Sequence, residues 1–177
     1  WISFESASDS LRKWLTETEK QHPSQMKLHA TLDEKRAQLT TYRTLLQDVL
    51  AHQQAILDCR DRGQFLPDGG FKDDREKVEE FITFATQKHQ NLLKQAQSFV
   101  ERYEGIVSDH QQYSKAVMDA QEWLDATHGA IEMWGDVRLE RITLHANVER
   151  LKNLQLGLPE EESRITQIRI LGEKVVP

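Results

Sequence analysis

Apolar side chains return along this chain at steps that alternate between three and four residues, the mark of a helix that buries one face. In the first stretch the stripe is Phe4, Ala7, Leu11, Trp14 and Leu15. In the second it is Leu28, Leu32, Lys35, Leu39, Tyr42, Leu46, Val49, Gln53 and Ile56, with seven of the nine positions apolar. From Val78 the stepping passes through Ile82, Ala85, His89, Leu92, Ala96, Phe99, Tyr103, Ile106 and His110. It continues without a slip through Tyr113, Val117, Ala120, Leu124, Thr127, Ile131 and Trp134, and fourteen of these seventeen positions are apolar. No Asn-Gly turn and no long β-branched run competes, so the chain reads as all-α. The unbroken register predicts one helix from about 74 to 134, about 90 Å long at 1.5 Å per residue. A run of that length needs a seam packed on partners, because propensity alone would not hold it.

Proline and glycine supply the punctuation. "QHPS" (21–24) ends the first helix, and Ser24 is a predicted N-cap for the second. "RGQFLPDGGFKDD" (62–74) separates the second helix from the third, with Asp73 or Asp74 at the positive end of the latter. "GDV" after Trp134 is a turn, with Asp136 as a cap. In "LGLPEEE" (156–162), Pro159 cannot sit in mid-helix without a cost of about 3 kcal/mol. A break or sharp kink is therefore expected there, since Gly157 can end one helix and Pro159 can open another, ahead of Glu160, Glu161 and Glu162. The helices expected are about 3–21, 25–63 and 74–110, then 111–134, 137–157 and 160–172.

The chain also repeats itself. "FESASDSLRKWLTETE" (4–19) and "YSKAVMDAQEWLDATH" (113–128) each set an aromatic residue, nine intervening residues and then Trp-Leu, 109 residues apart. Shifting the second helix's stripe by the same distance lands on Val137, Arg141, Leu144, Val148, Leu151, Gln155, Leu158, Glu162 and Ile165, six of them apolar. A period of about 110 residues predicts tandem helical modules, 1–110 and 111–177. Phe4, Trp14 and Leu15 are the expected core anchors of the first module; Tyr113, Trp123 and Leu124 are those of the second. The second module holds two segments' worth of helix where the first holds three, which leaves Val117, Leu124, Ile131, Val148, Leu151 and Leu158 without cover. Each large apolar side chain left in water forfeits about 1.5–3 kcal/mol, so the chain reads as a fragment of a longer protein, or another body covers that face.

Composition narrows the partners. A formal charge of −6 argues against nucleic acid, which needs a basic face, and against an anionic membrane surface. No apolar run approaches the length of a membrane span, and the first residues carry no signal-peptide pattern. Cys59 is the one cysteine, so no internal disulfide can form, and a reducing, cytoplasmic setting fits.

The residues offer little chemistry. Seven histidines include no His-x3-His pair, and His128 with Glu132 is only two groups, so no metal site, catalytic residue or cofactor is expected. His89 and His110 lie on the seam as polar spacers. Gly105 sits inside the long helix at a cost of about 1 kcal/mol against alanine and is a candidate hinge.

The repeated aromatic-to-Trp-Leu opening, the period and the shared helix resemble the spectrin-repeat family. The resemblance covers one full repeat, 1–110, and two helices of a second, incomplete one. It implies tandem three-helix bundles joined by a continuous linker helix. Within the family, "FLPDGGF" and its surroundings look most like the nesprins, with dystrophin- and plakin-type repeats as rivals. His89 stands where the family often has a second tryptophan. The resemblance implies a structural spacer and protein-docking segment of a giant cytoskeletal linker joining actin to the outer nuclear membrane. Actin regulators such as formins are implied as partners, with docking expected near Leu156, Leu158, Glu160, Glu161 and Glu162. The rival reading is a compact helical signalling adaptor that takes a partner helix into the open groove.

Overall fold

A computed structural model of the chain describes residues 2–21, 25–64, 72–135, 138 and 140–176, with side chains outside 2–3 and 72–74. Its elements are α1 (Ile2–Gln21), α2 (Leu32–Gln64), α3 (Lys72–Trp134) and α4 (Arg141–Val175). Among the described residues there is no strand. The chain divides into two compact units, Trp1–Glu104 and Gly105–Pro177. The third helix is uninterrupted from Lys72 to Trp134, so Phe99 to Val117 is helix throughout.

Unit 1 is a closed three-helix bundle. Phe4, Leu11 and Leu15 of α1, Val49, Ile56 and Cys59 of α2, and Val78, Phe81, Ala85 and Leu92 of α3 form one buried cluster. Ala7, Trp14, Ile82 and Leu93 pack against it from partly covered positions. Farther along, Tyr42 meets Phe99 and Tyr103 edge-on, with ring centroids 5.3 and 5.2 Å apart. Gly63 lets α2 and α3 touch at the far end: a Cβ built there would lie 2.5 Å from Val78 Cγ1 and 3.5 Å from Phe4.

Two expectations from the sequence are corrected. The second helix begins at Leu32 rather than near 25; residues 25–31 are not helical, and Ser24 lies outside the described residues. The reason is a capping box at Thr31-Leu32-Asp33-Glu34. Thr31 Oγ1 accepts the Glu34 amide at 3.2 Å, and Glu34 Oε2 accepts the Thr31 amide at 3.2 Å and its hydroxyl at 2.9 Å. Leu28, counted in the helical stripe, is correspondingly exposed.

The break expected at Gly157 and Pro159 is also absent, since α4 runs through both. Proline removes the donor that would bind the Gln155 carbonyl, but residues 155–160 all face solvent, where water takes that role. Beyond the proline, Arg164 pairs with Glu160 at 2.9 Å and Glu161 at 3.0 Å, ties that favour continued helix. The end of α4 is anchored as well: the Cα of Gly172 approaches Tyr113 so closely that a Cβ would lie 3.3 Å from its ring. Asp136 and Val137 lie outside the described residues; α4 starts after Glu140, which makes no side-chain cap.

Candidate functional site

Trp14 illustrates how unit 1 closes. Its indole stacks on His52 of α2, with centroids 3.8 Å apart and planes 9° from parallel, and donates its N–H to Asp48 Oδ2 at 2.8 Å. On α3, His89 is buried 6.3 Å away, with Nε2 2.7 Å from the Val49 carbonyl of α2. An amphipathic Trp, with an apolar body and one polar handle, suits this half-covered position. Phe4 and Leu15 of the same helix are buried.

Polar ties hold the opposite end of unit 1. Tyr103 has no exposed surface, and its hydroxyl donates to the Lys27 carbonyl at 3.0 Å, pinning the α1–α2 connector to α3. Burial raises the Tyr103 pKa, with Tyr42 adding to the effect. Arg43 of α2 reaches Glu104 of α3 at 2.6 Å through Nη2 and 3.2 Å through Nε. Lys35, also buried, is held below the usual lysine range by desolvation.

Unit 2 is built differently. Covered positions of α4 include Asn147, Leu154, Glu161, Ile168 and Val175, a series spaced by seven, with Leu144, Ala146, Leu171 and Gly172 partly covered beside it. Asn147 donates to the Trp134 carbonyl at 3.4 Å, satisfying an acceptor at the end of α3, and receives Arg150 at 2.9 Å. Ala116, Asp119 and Ala120 of α3 line a cleft of about 400 Å³ with Glu161, Arg164, Gln167 and Ile168 of α4. Val148, Leu151 and Leu158, expected to lack cover, are exposed, as is Ile165, whereas Leu144 of the same stripe is partly covered. Polar Asn147 and Glu161 hid the true contact stripe; its seven-residue spacing was the signal present in the sequence.

The anchors therefore separate. Tyr113 and Trp123 are half-buried, whereas Leu124 is 47% exposed. Its neighbours on the helix, Val117 and Ile131, are 38% and 44% exposed. The physical cause is that two helices cover only one side of each other; the side turned to a third position stays in water. Leu156 and Leu158 are 80% and 46% exposed; Glu160 and Glu161 pair with Arg164, and Glu162 is exposed beside them. At Gly105, nothing lies within 4 Å of a built Cβ.

Among the described residues, no group of three or more His, Cys, Asp or Glu side chains could hold a metal ion. No described helix is long and apolar enough to cross a membrane. Burial raises the Cys59 thiol pKa, with Arg62 opposing, which disfavours the reactive thiolate. What the molecule offers is surface: the open apolar face of unit 2.

The chain is 48% identical over 177 residues, its whole length, to Muscle-specific protein 300 kDa of Drosophila melanogaster. It is 24% identical over 169 residues, 96% of its length, to human Nesprin-2. It spans about 1% of the first relative's length and 2% of the second's. No family model and no solved structure matches it. With its helical architecture and with similarity to these proteins along nearly all of its length, the chain belongs with the nesprin-like, giant spectrin-repeat proteins.

Proposed function

We propose that the chain is a structural spacer and protein-docking segment of a giant cytoskeletal linker that connects the actin cytoskeleton to the nuclear envelope. The observation that carries this reading is α3, one helix that ends unit 1 and begins unit 2. An uninterrupted helix has no slack loop to pay out, so tension along it meets hydrogen bonds and buried side chains at once. The likeness to Nesprin-2 supports the nuclear-envelope end of the reading. The parent chain then lies in the cytoplasm and at the outer nuclear membrane.

Docking falls to unit 2. Leu156 and Leu158, with Glu160, Glu161 and Glu162, form the patch we assign to a protein partner, and a formin-type actin regulator is the partner class. The support is the exposure of both leucines on one ordered helix. Gly105 is the point at which α3 yields when the parent protein bends.

Binding and stretching measurements test the two parts of the reading separately. Calorimetric titration with formin fragments and cosedimentation with actin filaments are expected to show binding that the double change Leu156→Asp, Leu158→Asp removes without altering helix content. Absence of binding to both rejects the docking role. Stretching the chain between terminal handles is expected to give a discrete unfolding step for unit 1; smooth lengthening with no step rejects the spacer.

A further inference from the structure

Unit 1 shares a helix with a unit whose apolar face is open. Helix–coil transitions propagate along a hydrogen-bonded helix, so melting that starts in unit 2 would run back along α3 unless something stops it. We infer that Tyr103, Glu104 and Gly105 form a firebreak in α3: a transverse tie followed at once by a weak residue. This insulation goes beyond the spacer reading and does not depend on any partner.

The tie consists of two cross-connections on consecutive residues. Tyr103 is fully buried, edge-on to Tyr42, and its hydroxyl holds the Lys27 carbonyl at 3.0 Å. The connector it holds is itself stiffened four residues on by the Thr31–Glu34 capping box. Glu104 accepts two bonds from Arg43 of α2. These ties bind α3 to the α1–α2 connector and to α2, so the helix cannot unwind at 103–104 without breaking contacts to both. The next residue reverses the situation. Gly105 has open space where a side chain would pack, and glycine is the weakest common residue in a helix apart from proline. Opening therefore costs least on the C-terminal side of 105 and most immediately before it, which confines local unfolding to unit 2.

Residue-resolved hydrogen exchange on the intact chain tests this. In the native protein, protection is expected to be high for amides 96–104 and to fall sharply from Gly105 onward. In Tyr103→Phe, which keeps the ring, exchange of amides 99–104 should rise about fivefold to tenfold, with amides 112–130 unchanged. In Gly105→Ala, protection should extend past 105 and the drop should blunt. Uniform protection across 96–115 in the native chain would overturn the inference. So would a Tyr103→Phe chain whose 99–104 amides exchange as before. Should the spacer reading fail under stretching while the protection step persists, the firebreak stands alone.

Discussion

Leu15 and Leu124 hold the same place in two copies of one pattern, each following a Trp and each eleven residues after an aromatic. Leu15 is 4% exposed and Leu124 is 47% exposed. Their helices are similar; what differs is the number of helices around them. In unit 1, α1 lies against both α2 and α3, so its stripe is covered from two sides. In unit 2, the end of α3 has α4 alone, which covers the positions turned toward it and no others. The lesson is that a heptad stripe specifies a helix that can be buried, while burial itself requires the full complement of neighbours. The same contrast appears within α4, where Asn147 is buried and Leu158 is not.

The comparison can be broken most forcefully at those two leucines. Leu15→Ala should cost about 2–5 kcal/mol in denaturant unfolding of unit 1, through lost burial and the cavity left behind. Leu124→Ala should change stability by less than about 0.5 kcal/mol. Similar losses at both sites would show that something covers Leu124.

Glycines give the next test. Gly63→Ala places a methyl group 2.5 Å from Val78 Cγ1, and a β-branched neighbour cannot swing aside, so a loss of about 1–3 kcal/mol is expected in thermal unfolding. Gly157→Ala meets nothing within 4 Å and should stabilise α4 by about 0.5–1 kcal/mol. The two changes are chemically identical, so opposite signs would isolate packing as the difference between the units.

The capping box sharpens the comparison through pH. Thr31→Ala should cost about 0.5–2 kcal/mol. Bonds from the Thr31 amide and hydroxyl hold the Glu34 pKa below its ordinary value of 4.5. A carboxylate depressed on folding contributes stability above its unfolded pKa and loses it as pH falls through the lower folded value. Comparing the native chain with Glu34→Gln should therefore show a difference above pH 4.5 that shrinks on acidification below it. An unchanging difference across that range would mean that the carboxylate charge plays no part in the cap. The smallest effect is expected at Leu156, 80% exposed: Leu156→Ser should leave the unfolding midpoint where it is, within about 0.5 kcal/mol, and be felt only in partner binding.

Much of this protein was legible in its residues alone. Four-three stepping from Val78 to Trp134 determines a single helix, because a register that never slips leaves no place for a reversal. The shortage of helix after the second aromatic-to-Trp-Leu opening predicts that Val117, Leu124 and Ile131 stand in water, and they are exposed. The Thr31-x-x-Glu34 cap was equally readable and was outweighed by the nearer signal of Pro23 and Ser24.

Tertiary structure decided the rest. Periodicity marks every apolar stripe on α4 as a possible core, but only the approach of a neighbouring helix selects one, and it selects the stripe containing Asn147 and Glu161 because a carbonyl of Trp134 and the cleft beside Ala116 receive them. Pro159 remains inside α4 because the Gln155 carbonyl that it leaves unpaired faces water, and whether a backbone group faces water is a property of the assembled fold rather than of the local sequence.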